Sequence, residues 1–236
     1  MSDTQLPIAV VTGGTRGIGL GIARDLAATH HVVVVGRNGD AVSAVVAQLP
    51  SAEGFVADFA DLSSLDATMA ELAARLQRID VLVNSAGVLH RGSLADSTTQ
   101  EWVEAMTVNV VAVASVTRAL LPALRAAQGL VLMVNSGSGL TASATTGVYA
   151  ASKFALRALT DALREEERTH GVRVTSLHPG RTDTDMQREM VAFEGGDYDA
   201  SAFLTVDSVV RAARAAIDAT SEASLDVISV RPSGRP

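Results

Sequence analysis

The 236-residue chain holds 19 lysines plus arginines, and only one of them, Lys153, is a lysine. It stands four residues after Tyr149, one of two tyrosines. On a helix, residues four apart share a face, so the phenol and the ammonium look into the same space. The random chance that a lone lysine falls four after either tyrosine is about 1%. The pair suits proton transfer. A free tyrosine has a pKa near 10, so exchanging its proton near neutrality asks for a shift of about three units, about 4 kcal/mol. An ammonium about 4 Å away supplies only ~1 kcal/mol in water but ~4 kcal/mol at an effective dielectric near 20, so a partly closed cleft suffices. Arginine's broader planar fork does not offer the same compact point charge. The alternative is an exposed lysine beside a packed tyrosine.

A second chemistry is suggested by Thr12-Gly13-Gly14-Thr15-Arg16-Gly17-Ile18-Gly19, which follows an apolar run and opens a helical one. Glycines let the backbone turn tightly and approach a pyrophosphate, whose charge then sits on a helix N-terminus. By residue frequency alone, three glycines at this spacing arise in about one such chain in eight, so the position between strand and helix carries more than the glycines do. The alternative is a merely tight turn. Where an NAD-binding unit has an acid at the end of its second strand, this chain has Gly36-Arg37, and Arg16 lies inside the turn. Two guanidiniums and no carboxylate suit a 2′-phosphate, so the expected cofactor is NADP(H). Arg37 as a solvated strand end would leave NAD open.

These residues need a scaffold. Short apolar runs rich in β-branched residues alternate with longer stretches of helical period, the pattern of a parallel sheet covered by helices on both faces. The pattern predicts strands at 8–12, 32–36, 54–57, 81–84, 130–135, 172–178 and 226–230. Helices are predicted at 18–29, 41–49, 62–78, 100–127 with a break near Thr107, 149–170 and 206–219. Connections are short and no linker or solenoid repeat divides the chain, so residues 1–236 read as one domain. The fold class is α/β, a doubly wound Rossmann sheet of seven mostly parallel strands. Val108, Val110, Val111, Val113 and Val116 point round most of a helix circumference. One side would pack on the sheet and the other on a second subunit, unless the helix is simply interior.

Composition narrows the function classes. With 47% hydrophobic and 19% charged residues the chain is globular. It has no cysteine, which excludes disulfides, thiolate nucleophiles and cysteine-ligated metals, so any electron carrier must be borrowed. A net charge of −7 without a basic run argues against nucleic acid and anionic membranes. Asp3 stands where a secretory signal needs a cation, and no window reaches the roughly 18 apolar residues of a membrane-crossing helix; a cytoplasmic location is expected. His90, His170 and His178 lack ligand spacing, and His30-His31 lead into a strand, so neither a metal site nor a catalytic histidine is expected.

Taken together, the chain resembles the short-chain dehydrogenases/reductases from about residue 8 to residue 230. The family's Thr-Gly-xxx-Gly-x-Gly turn matches Thr12, Gly13, Gly17 and Gly19, and its Tyr-xxx-Lys pair matches Tyr149 and Lys153. Its Asn-Asn-Ala-Gly stretch is similar to Asn84-Ser85-Ala86-Gly87. The resemblance implies further roles. Asn109 would hold a water in a proton relay to the lysine, and Asp58 would cap the adenine. Pro179, Gly180, Thr182 and Thr184 would hold the nicotinamide carboxamide. The catalytic serine lies 13 residues before the tyrosine in that family, which selects Ser136 over Ser138. With these residues the resemblance implies hydride transfer between NADP(H) and a small carbonyl or alcohol, with Tyr149 as general acid/base. It also implies a homodimer or homotetramer built on the two long helices. A non-catalytic NADP(H) sensor or structural protein is the competing reading, against which Ser136, Tyr149, Lys153 and Asn109 together argue.

The chain departs from the family at its end, Asp226-Val227-Ile228-Ser229-Val230-Arg231-Pro232 in place of Val-Asp-Gly-Gly. This weakens assignment to the branch acting on acidic acyl carriers, which a −7 enzyme meets poorly. Residues 185–204 occupy the family's substrate-lid position, with Gly195-Gly196 as a possible hinge and a surface loop as the alternative. Val88, Leu140, Met186, Met190 and Phe193 are candidate apolar walls for a small, mainly uncharged substrate.

Overall fold

Val32, Val33, Val34 and Val35 are all 0% exposed. Their side chains alternate between the two faces of a strand, so both faces must be covered by helices. The computed structural model describes residues 6–233; Asp3 lies outside the described residues. Seven strands form one sheet: β1 (Ile8–Thr12), β2 (His31–Gly36), β3 (Ala52–Val56), β4 (Val81–Asn84), β5 (Leu130–Val134), β6 (Arg173–Pro179) and β7 (Val227–Val230). Their order is β3-β2-β1-β4-β5-β6-β7, and every pairing is parallel. The expected fold class stands, with a sheet that is wholly rather than mostly parallel.

On one face, α1 (Gly17–Leu26), α2 (Gly39–Val46) and α8 (Val206–Ile217) cover Val32 and Val34. On the other, α3 (Leu62–Arg75), a long helix at 99–127 and α6 (Gly147–Glu167) cover Val33 and Val35. The long helix comprises α4 (Thr99–Met106), a π-helical turn (Thr107–Val111) and α5 (Ala112–Ala127). The break expected near Thr107 is therefore a widened turn, of the kind often found at functional positions, and Asn109 lies inside it. Val108, Val113 and Val116 of the apolar stretch are buried on the sheet side, while Val111 is 45% exposed.

Two expectations need correction. The helix Thr99–Ala127 is long and apolar enough to cross a membrane, its most apolar 18-residue window having mean hydropathy 1.5. Thr107, Asn109, Ser115, Thr117 and Arg118 interrupt it, so no 18 residues in a row are apolar although the window average is high. Half of its most apolar window is buried inside this chain, as for a core helix. The second concerns residues 185–204, which contain α7 (Asp185–Glu194). Gly195, at φ +71°, ends this helix: its N–H donates to Ala192 O at 3.2 Å and that of Gly196 to Val191 O at 3.2 Å. The glycine pair is thus a helix stop of the Schellman type.

Candidate active site

β1 and β4 are neighbours from which the strand order runs outward in opposite directions, so the loops at their carboxyl ends part and leave a crevice. A cleft of about 270 Å³ opens there. The turn after β1 lines it through Gly13, Thr15, Arg16, Gly17, Ile18 and Gly19. Gly13 and Gly17 hold φ of +64° and +55°, and a Cβ on Gly13 would lie 2.8 Å from the Ala86 backbone. Thr12 sits beneath. Its hydroxyl donates to Val83 O at 3.3 Å and accepts from the N–H groups of Ser85 and Ala86 at 3.1 and 3.3 Å, tying the two central loops together.

Helix α1 begins without a side-chain cap or an acid in its first turn. Asn38, Asp61, Thr98, Thr184 and Thr205 cap α2, α3, α4, α7 and α8. Helix α6 also starts without a side-chain cap, but α1 starts at the glycine turn, so its first amides are open to an anion in the cleft and the glycine floor lets one approach. These residues fit a dinucleotide. Arg16, Arg37 and Asp58 all line the same cleft. Asp58 Oδ1 accepts from Ala60 N–H at 2.9 Å, and Asn38, next to Arg37, is engaged with Ala41 N–H at 2.9 Å.

At the other end Tyr149 and Lys153 face the cleft from the first turns of α6, with the lysine Nζ 5.8 Å from the tyrosine ring centre. Lys153 is 4% exposed and donates to Val134 O at 3.1 Å. Burial lowers its pKa to about 8. Burial also pushes the Tyr149 phenol above its ordinary value, and a hydrogen bond with Ser136 pulls it partly back. The expected lowering of the phenol by the lysine is therefore not met in the chain alone. Desolvation of the phenolate is the largest effect on the group, and the lysine head is drawn to the Val134 carbonyl.

Ser136 lies just past β5, its Oγ accepting from Ser138 N–H at 3.1 Å. Asn135 before it lines the cleft, which Ser136 itself does not; Asn135, a residue the sequence did not flag, accepts from Ser136 N–H on its Oδ1 at 2.9 Å. His178 on β6, dismissed on spacing, is fully buried against the same serine, Nδ1 lying 2.8 Å from Ser136 O. No local signal marks either contact.

Several expected site residues stand behind the cleft wall. Asn109 is fully buried: Oδ1 accepts from Val88 N–H at 2.8 Å, and Nδ2 donates to Val88 O at 3.0 Å and Ser152 Oγ at 2.9 Å. It braces the loop after β4 against α6. Between them lies Gly87, where a Cβ would sit 3.1 Å from Asn109 Oδ1 and 3.8 Å from Lys153 Nζ. Asn84 turns away from the cofactor side, donating to Thr117 Oγ1 at 3.0 Å, so it joins β4 to α5. Pro179, Gly180 and Thr182 shape a turn through Gly180 N–H to Val230 O at 2.7 Å and Thr182 Oγ1 to Gly180 O at 3.0 Å. Only Thr184 of that group reaches the cleft, where it meets Gly17.

The α7 side is built from charges. Glu194 receives Arg91 Nη1 and Arg181 Nη2 on its two oxygens, each at 2.7 Å. Both guanidiniums hold the Glu194 carboxyl below its ordinary pKa, against desolvation. Arg91 also donates to Thr145 Oγ1 at 3.3 Å and lies 5.6 Å from the centre of the Phe193 ring. Met186 and Val88 line the cleft as expected, whereas Phe193 is 54% exposed beneath that guanidinium.

A glycine turn at the switch point of a doubly wound sheet, with the Tyr149–Lys153 pair opposite, places the molecule among the Rossmann-type oxidoreductases. Comparison with known proteins narrows the class. The short chain dehydrogenase family profile matches residues 7–195. An uncharacterized oxidoreductase of Staphylococcus epidermidis is 31% identical over 235 residues, covering 98% of this chain and 100% of the relative. A Beutenbergia cavernae protein provisionally assigned as an NAD(P)-dependent gluconate 5-dehydrogenase, solved with NADP at low occupancy, is 32% identical with a TM-score of 0.85, covering 96% of this chain and 95% of its own. A provisionally classed short chain dehydrogenase from Escherichia coli, complexed with NADPH, is 26% identical with a TM-score of 0.87, over 97% of this chain and 98% of its own. The chain belongs to the short-chain dehydrogenase/reductase family of oxidoreductases.

Proposed function

We propose that this protein is an NADP(H)-dependent reductase or dehydrogenase of small carbonyl or alcohol substrates, with Tyr149 as its general acid/base. The observation that carries the reading is one cleft with Arg16 and Arg37 at one end and Tyr149 and Lys153 at the other. A bound nicotinamide supplies or takes the hydride. The amides of α1 and the turn at Gly13 and Gly17 receive its pyrophosphate, Asp58 lies toward the adenine, and Arg16 and Arg37 meet the 2′-phosphate as a charge-assisted pair. Lys153 holds the ribose, and Thr184 borders the nicotinamide. In reduction the carbonyl carbon gains hydride, the C=O pair moves onto oxygen, and that oxygen takes the Tyr149 proton while Ser136 donates a hydrogen bond to it. A phenol raised by burial is protonated at neutral pH, as an acid must be. The Asn109 side chain has only one Oδ1 lone pair left, so a relay water would rest on that and on the widened turn.

We read α7 as the lid over the substrate, with the Arg91–Glu194–Arg181 bridge as its fastening. The exposed Val111 beside Ala114 and Leu121 on α5, next to Leu159 on α6, supports a homodimer through the two long helices. The test is NADPH oxidation against small aldehydes, ketones and quinones. Tyr149→Phe is expected to cut kcat about 10²–10⁴-fold with cofactor affinity little changed. Turnover indifferent to that change, or NAD bound more tightly than NADP, overturns the reading.

A further inference from the structure

His178 is an ionisable side chain with 0% exposure on a central strand, and a buried polar group persists there only if its bonds are satisfied. Both are. Nδ1 lies 2.8 Å from Ser136 O and Nε2 lies 2.8 Å from Ser176 Oγ. A carbonyl can only accept, so Nδ1 carries the hydrogen. Burial is the largest effect on the ring and favours its neutral form, in which Nε2 accepts from the Ser176 hydroxyl.

The strand ladder explains why a side chain is needed. Asn135 N–H still donates to Leu177 O at 2.8 Å, continuing the pairing of β5 with β6. The residue that would next donate back to β5, to Asn135 O, is Pro179, which has no N–H, so the ladder ends at Asn135 and does not reach the serine. Beyond that point Ser136 is held by side chains on both backbone groups. Asn135 Oδ1 takes its N–H at 2.9 Å, and the His178 imidazole takes its carbonyl.

We infer that His178 is a positioning residue for the Ser136 hydroxyl, its Nδ1–H holding the Ser136 carbonyl just beyond the end of the ladder. The inference rests on the reading of Ser136 and Tyr149 given above. A small rotation of the Ser136 backbone would move Oγ away from the Tyr149 phenol and from any substrate oxygen. Asparagine carries an amide near the place of Nδ1, glutamine only near that of Nε2, and leucine carries neither.

The test uses the full chain labelled with ¹³Cζ-tyrosine, whose two tyrosines give two signals, Tyr149 being assigned by Tyr149→Phe. His178→Leu and Ser136→Ala should shift the Tyr149 signal alike, with or without NADPH, while His178→Asn leaves it near the native position and His178→Gln does not. On any carbonyl that the native protein reduces, His178→Leu should lower kcat about 10- to 100-fold, His178→Asn should restore most of it, and NADPH affinity should stay within about threefold. His178→Leu in the Ser136→Ala background should add nothing. An unmoved Tyr149 signal in folded His178→Leu, or His178→Asn no better than His178→Leu, overturns the inference. A signal unmoved by Ser136→Ala instead removes the Ser136–Tyr149 pairing on which it rests.

Discussion

The two halves of the cleft are built by different means. Around β1, β2 and β4 the wall is main chain: glycines in left-handed conformations, uncapped amides at α1, and loops in backbone contact at Gly13 and Ala86. Around β6 and α7 the cleft is lined by Thr184, Asp185 and Met186, and the segment that carries them is held from behind by side chains, with Glu194 bridging Arg91 and Arg181 and the Tyr198 hydroxyl donating to Asp183 Oδ1 at 2.6 Å. Main chain gives a geometry that does not vary with rotamer and fits a ligand of fixed shape. Ion pairs between partly exposed side chains are worth little each and exchange readily, which suits a segment that has to move for substrates to pass.

The contrast breaks most visibly at Gly13. Gly13→Ala places a methyl 2.8 Å from the Ala86 backbone at φ +64°. The change is expected to cost about 2–5 kcal/mol of stability by denaturant unfolding. NADPH affinity is expected to fall at least ~100-fold by titration. A folded variant that binds NADPH normally would show that the main-chain wall is not what selects the ligand.

Lys153 stands where the halves meet and destabilises the chain without cofactor. From pH about 8 to 10.5 the native lysine releases its proton while the unfolded one keeps it, so native stability rises with pH across that window. Lys153→Met should therefore be more stable than the native chain at pH 7, by up to about 3 kcal/mol, and lose the advantage by about pH 10. Urea unfolding of cofactor-free protein at both values checks this; an equal difference at the two would mean that the buried charge is not the cause.

The smallest effect is expected at Glu194. Glu194→Gln leaves two guanidiniums without their carboxylate and should raise substrate KM about two- to fivefold. Amide exchange should quicken in α7 and not at the glycine turn, with NADPH affinity unchanged. Slower exchange in α7, or a loss of cofactor affinity, would contradict the division of labour.

Much of this was legible beforehand because its causes are local. Tyr149 and Lys153 share a face by helical period, and the turn from Thr12 to Gly19 reads as strand, glycines and helix in eight residues. The ends of elements shifted by a residue or a few, as at 172–178 against Arg173–Pro179, since end residues lack half of their neighbours. Helix α7 is not visible in the sequence, where Gly195 and Gly196 dominate the segment. Its Met186, Met190 and Phe193 recur at helical spacing, but Phe193 is exposed and the buried positions are Gln187 and Val191, so the apolar pattern does not follow the buried face. The resemblance gives Asn84 a role at the cofactor and Asn109 one in a water relay; the structure adds that Asn84 Nδ2 donates to Thr117 and that the Asn109 side chain meets Val88 and Ser152, contacts no spacing shows.

By itself the sequence determined the parallel sheet, the position of the glycine turn and the pairing of the only lysine with a tyrosine, because each follows from periodicity or from residues within one turn of one another. Tertiary structure alone decided the rest. His178 meets Ser136 across 42 residues and Arg91 meets Glu194 across 103. The Tyr149 phenol is pushed up rather than down because burial, which no spacing encodes, penalises its charged form.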